Sequence, residues 1–217
     1  MSKVKKALLK ISEMTGKLAG VDAINTDPLS NDFCCRMNAT EGTICSKCYS
    51  ISMLKTFRKN CRPAFQRNAE VLSSRPLTDG EILTLKFKND KVRYNAHGEL
   101  INVYHAINCI RIAQLFPSKQ FALFTKRANL VKKAVEMGYS IPRNLHLIYS
   151  SAKINHQATK PSIFDKVFVV YSRDYDDPNV VINCCDIKES RKCSECKRCY
   201  TQNDCEVVNE RIKVYTK

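Results

Sequence analysis

The spacing of apolar and polar residues changes period several times along this 217-residue chain. Residues 3–18 set Val4, Ala7, Leu8, Ile11, Met14 and Leu18 at helical spacing with lysines largely opposite, which predicts an amphipathic helix ending at Gly20. A short strand is expected over 21–24, and Asp27-Pro28 and residues 30–32 then turn the chain. From residue 46 to about 73, Leu54, Phe57, Cys61, Phe65, Ala69 and Leu72 recur on one helical face, with Pro63 expected to kink or divide the helix. Residues 81–96 read either as two strands joined at Asn89-Asp90 or as a short helix and a strand over 92–95. A helix over 100–115, a break at Pro117, a strand over 121–125, a helix over 129–137 stopped by Gly138, and strands over 145–149 and 167–171 complete the pattern. Strands alternating with helices predict an α/β fold of parallel βαβ units. At roughly 30 residues per unit the chain holds about five or six strands and not a closed eightfold barrel. The expected architecture is therefore a partial (β/α) barrel over 1–183, followed by a cysteine-rich metal- or cluster-binding segment over 184–217.

With 44% hydrophobic residues the chain can bury one substantial core. The excess of 36 Lys and Arg over 21 Asp and Glu, a formal charge of +15, makes nucleic acid or nucleotides the first partners to consider. Between Lys55 and Arg67 lie five basic residues and no acidic one, which is either a phosphate-binding wall or a solvated face. No stretch reads as a membrane span, and the charged N-terminus lacks the apolar core of a signal peptide. A cytoplasmic location is expected, where the 12 cysteines stay reduced and serve as free, catalytic or metal-bound thiols.

The cysteines fall into two groups. Residues 34–48 carry Cys34, Cys35, Cys45 and Cys48, and the two-residue gap between Cys45 and Cys48 lets both thiolates grip one metal centre from a tight turn. With Cys35, three thiolates suit an incomplete zinc site or an iron–sulfur cluster with one iron open; the adjoining Cys34 either replaces Cys35 or closes the site. Near the C-terminus, Cys193, Cys196 and Cys199 form a C-x-x-C-x-x-C run of the kind iron–sulfur clusters use, with Cys185 or its neighbour Cys184 as the fourth ligand and Zn2+ as the competing occupant. Cys61 and Cys109 lie on predicted helix faces and read as small hydrophobes.

The cysteine loop ending in Tyr49, the segment RYNAHGEL at 93–100, FTKR at 124–127 and IYSS at 148–151 resemble the phage-encoded gene product 88 family. Through it the chain looks like the wider radical S-adenosylmethionine (SAM) superfamily. The resemblance implies a radical-SAM-like partial barrel with Cys35, Cys45 and Cys48 on a [4Fe–4S] cluster whose fourth iron binds SAM. His97, Gly98 and Glu99 look like the counterpart of the superfamily's Gly-Gly-Glu segment, which holds the methionine part of SAM. Tyr49 follows the third cysteine, where the superfamily has an aromatic residue before it, and nine residues separate Cys35 from Cys45 where three are usual.

Read from the residues alone, His97 after a predicted strand faces either a pocket or the core, and Glu99 binds a cofactor or caps the following helix. His105, His146 and His156 read as structural or surface residues. The expected function is a small radical-SAM-like enzyme with an electron donor as partner. The alternatives are a zinc-stapled nucleic-acid-binding protein without catalysis and a non-catalytic iron–sulfur protein.

Overall fold

A computed structural model describes residues 8–184, 191–202 and 205–211. Seven strands form one sheet in chain order: β1 (Ile11–Glu13), β2 (Asp22–Ile24), β3 (Lys91–Tyr94), β4 (Gln120–Thr125), β5 (Leu145–Ser150), β6 (Lys166–Tyr171) and β7 (Val207–Arg211). Among these described strands only the β1–β2 pair is antiparallel; β2 to β7 are parallel. The sheet is open, with β1 and β7 at its edges, and is not a closed barrel. The helices are α1 (Asp32–Asn38), α2 (Tyr49–Lys55), α3 (Arg62–Ser74), α4 (Asp79–Ile82), α5 (Val103–Leu115), α6 (Ala128–Glu136) and α7 (Cys193–Cys196).

Crossovers of one hand put the connecting helices α3, α5 and α6 on one face of the parallel strands. On that face Val92, Tyr94, Phe121, Leu123, Leu145 and Leu147 pack in one core with residues of α3, α5 and α6. The alternate residues Ala122, Phe124 and Ile148 point to the other face, where Val21, Tyr200, Cys193 and Cys199 meet them. Both faces are covered, as a parallel sheet requires. Buried asparagines tie elements distant in sequence. Asn68 on α3 donates to the carbonyls of Lys10 and Asn25, and Asn108 on α5 donates to those of Leu72 and Arg75.

The strongly periodic region agrees with expectation: α5, β4, α6, β5 and β6 fall at the predicted positions. Of the two readings of 81–96, the short helix followed by a strand is the one adopted. A capping box between Thr78 and Glu81 starts that helix.

Two expectations are corrected. The predicted helix over 3–18 begins in residues outside the described ones, and its described part instead holds β1 and a 3-10 turn at Gly16–Leu18. Ile11, Ser12 and Glu13 pair with Ile24, Ala23 and Asp22, so sheet pairing overrides the helical period. The predicted helix over 46–73 is broken before Pro63. Thr56 leaves helical geometry at φ −120°, ψ −109°, and Phe57, expected on the buried face, is 69% exposed.

Candidate cysteine site at the carboxyl rim of the sheet

In a parallel sheet the loops after the strands converge at the carboxyl ends, where ligands usually sit. Here the long β2-to-β3 connection carries Cys34, Cys35, Cys45 and Cys48 to that rim. Asn31 caps α1 by accepting from the Phe33 N–H, and its amide donates to the Glu99 carbonyl. Asn38 at the far end of α1 donates to the Cys45 carbonyl at 2.7 Å. The Ile44 N–H donates to the Ala152 carbonyl, fastening the loop to the segment after β5.

Adjacent residues of a helix point about 100° apart, so only one of Cys34 and Cys35 can face the loop. It is Cys34. Burial pushes its thiol well above the normal range, and Glu99, Cys48 and Cys45 each oppose its ionisation further. Burial likewise raises Cys45, against which Lys126 acts by charge and by a hydrogen bond. Cys34 and Cys45 therefore both lie within electrostatic reach of Cys48, Glu99 and Lys126. Cys35 is exposed, with its sulfur turned to the carbonyls of Pro28 and Leu29 at 3.7 and 3.6 Å.

The remaining predicted residues line the same rim. Gly98 takes φ +93°, and a Cβ there would stand 2.2 Å from Thr26 Oγ1, so glycine permits the β2 and β3 extensions to touch. Buried Glu99 accepts from the Leu100 N–H, the Thr125 hydroxyl at 2.5 Å and the Lys126 N–H, which engages most of its roughly four acceptor positions. His97 donates its N–H to Asn25 Oδ1 and shares a 2.8 Å hydrogen bond between Nδ1 and the Ser50 hydroxyl. Burial, then Arg93 and Arg58, lower its pKa to about 4, so the imidazole is neutral at pH 7. Its ring stacks on Phe65 at 5.7 Å and meets half-exposed Tyr49 at 6.2 Å; Tyr49 in turn meets Phe57 at 6.5 Å.

Four residues of this rim were not singled out as site residues from sequence. Lys126 approaches Cys45, while Arg127 donates to the carbonyls of Leu100 and Ile101 and lies over the Phe33 ring, one residue from Cys34. The FTKR segment supplied the signal, since its last three residues all brace this rim. The side-chain amide of Asn95, at φ 55°, and the Thr26 hydroxyl are buried without a protein partner at the ends of β3 and β2. Nothing short-range in the sequence marks them.

The second cysteine group lies elsewhere. Cys184, Cys193, Cys196 and Cys199 line one cavity on the inner sheet face together with Arg93 and Phe124. Cys185 lies outside the described residues. His105, His146 and Cys109 are buried. Among the described residues, no group of three or more His, Cys, Asp or Glu side chains is already arranged to hold a metal ion. Metal at either cysteine group would have to draw its thiols inward.

An open, mostly parallel α/β sheet with four cysteines on the connection at its carboxyl rim defines the class. The sequence matches the family model of Gene product 88 over residues 3–211, and the chain belongs to the gene product 88 family. No curated protein and no solved structure matches it. No helix among the described residues is long and apolar enough to cross a membrane.

Proposed function

We propose that this protein is a radical-SAM-like iron–sulfur enzyme whose rim cluster is a [4Fe–4S] cluster held by Cys34, Cys45 and Cys48. The observation that carries this reading is that the β2-to-β3 connection brings Cys34, Cys45 and Cys48, all partly buried, to the carboxyl ends of the parallel strands while Cys35 is exposed. Three thiolates leave one iron open, and the Lys126 ammonium offsets part of the negative charge that ligation concentrates there. When bound, such a cluster supplies one electron to S-adenosylmethionine and so starts hydrogen abstraction from a substrate. The chain's own part is orientation and exclusion of water. Glu99 holds the β3 and β4 ends in register through Leu100, Thr125 and Lys126, and retains about one acceptor position for a cofactor ammonium. The buried Asn95 amide and Thr26 hydroxyl are unspent polar groups of the kind that orient a bound ligand. Nucleic acid is the proposed substrate class, supported by the +15 charge and by the exposed run from Lys55 to Asn60 that carries Phe57. The protein works in a reducing compartment, with an electron donor as partner.

The test is anaerobic reconstitution with iron and sulfide, followed by paramagnetic resonance with and without SAM and assay for 5′-deoxyadenosine. A spectrum that changes on adding SAM, with 5′-deoxyadenosine released, is the expected result. Cys34→Ala should remove the SAM-responsive signal and Cys35→Ala should keep it. The reverse pattern would return the ligand role to Cys35. A fully loaded cluster that ignores SAM would leave a non-catalytic iron–sulfur protein, and colourless zinc protein would leave a stapled nucleic-acid binder.

A further inference from the structure

The inner face of the sheet, where an open barrel would leave a hollow, is covered by the chain's own C-terminal segment. Cys193 opens the one-turn helix α7 and Cys196 closes it. Lys197 then adopts a left-handed conformation at φ 59°, and the 3-10 turn Arg198–Tyr200 brings Cys199 back toward the sheet. Seven residues thereby bring three cysteines to the lining of one cavity. Cys184 arrives from the opposite side. Its N–H donates to the Asn209 carbonyl at 2.9 Å, and the Asn183 side chain pairs with β7 at Val207 and Asn209, so the cysteine is pinned to the edge strand.

The walls of this cavity combine apolar contact with positive charge. Leu18, Phe124 and Val208 are the apolar part. Lys17 Nζ donates to Cys184 Sγ at 3.1 Å and also pairs with Glu210. The Arg93 guanidinium lies 3.8 Å over the Phe124 ring with its Nε buried and unpaired, and Arg198 lines the same space. Three cations against one carboxylate leave an excess of two positive charges beside the four cysteines. Partly buried positive charge in excess of the nearby carboxylate favours an anionic occupant.

We infer that Cys184, Cys193, Cys196 and Cys199 hold a second [4Fe–4S] cluster on the inner sheet face, with all four irons ligated by the protein and Lys17 as its hydrogen-bonded counter-charge. A two-plus cluster with four thiolates carries about −2, which matches the surrounding excess. A C-x-x-C-x-x-C wrap supplies three corners from one segment in the manner of cluster proteins, whereas zinc knuckles come as pairs. With every corner taken, the site is closed. It anchors the C-terminal segment across the sheet and does not bind SAM. Its ligands are separate from the rim thiols, so the inference stands or falls independently of the proposed enzyme activity.

The experiment starts from the variant Cys34→Ala/Cys45→Ala/Cys48→Ala, reconstituted anaerobically and analysed for iron, sulfide and zinc. It should retain about four iron and four sulfide per chain and, once reduced, give a resonance signal that SAM leaves unchanged. Adding Cys193→Ser and Cys199→Ser should abolish the iron. Cys184→Ser should lose it and Cys185→Ser should keep it. An iron-free triple variant, one zinc per chain, or iron that survives Cys193→Ser/Cys199→Ser would overturn the site; loss with Cys185→Ser alone would overturn the choice of Cys184. Should the cysteine variants fail to fold, Lys17→Met decides. Removing a hydrogen-bonded positive charge should keep the iron and move the midpoint potential of the SAM-insensitive cluster to more negative values, and an unmoved potential would refute the contact.

Discussion

Replacing Gly98 by alanine tests how tightly the carboxyl rim is built. The new Cβ would sit 2.2 Å from Thr26 Oγ1 and 2.5 Å from the Thr26 carbonyl oxygen, far inside van der Waals contact. Thr26 is fully buried and donates its N–H to the His97 carbonyl, so it cannot withdraw without breaking the contact between the β2 and β3 extensions. Overpacking of this kind costs about 1–3 kcal/mol. Holding alanine at φ +93° adds about 1–2 kcal/mol. The expected loss is therefore about 2–5 kcal/mol, a large share of a typical domain stability. Gly138 is the control, because it has nearly the same φ of +94° with nothing within 4 Å of its missing Cβ. Gly138→Ala should show the backbone cost alone, about 1–2 kcal/mol. Urea unfolding of both variants gives the difference directly. If Gly98→Ala were no more destabilising than Gly138→Ala, the close packing of the rim would be wrong, and the cofactor pocket built on that packing would fall with it.

On the basic face, Lys55→Gln/Arg58→Gln/Lys59→Gln should lower the salt slope of single-stranded nucleic-acid binding by about 0.7 for each phosphate that is no longer neutralised. Phe57→Ala should weaken binding by about 1–3 kcal/mol at unchanged slope; salt-independent binding, or none at low salt, would remove nucleic acid as the substrate class. His105 provides a pH test, since burial and then Arg127 lower its pKa to about 3 while Nδ1 accepts from the Ile101 N–H. A histidine depressed in the fold is protonated first in the unfolded chain, so its contribution is complete above about pH 6.5 and declines as the pH falls. Unfolding at pH 5 should show about 2 kcal/mol less stability than at pH 8 from this residue, and His105→Gln should flatten the dependence; an equal dependence in both proteins would refute the buried neutral imidazole.

What the sequence determined by itself is the local burial pattern and the chemistry available. Residues 100–171 were legible because α5, α6 and strands β4 to β6 each bury apolar side chains at a clear period. The two cysteine groups were legible because ligand spacing within one turn is a short-range property. Tertiary structure decided the rest. Residues 11–13 became a strand because Asp22 to Ile24 offered a sheet edge, although their own spacing fitted a helix. Phe57 left the core when the chain broke at Thr56. Cys34 rather than Cys35 faces the loop because Asn31 sets the rotation of α1 through a bond to Glu99, 68 residues away. Cys184 reaches the C-x-x-C-x-x-C wrap because Asn183 is held on β7. A period along the chain records which side of an element is buried. The surface it is buried against depends on contacts between distant residues, which exist only once the sheet has assembled.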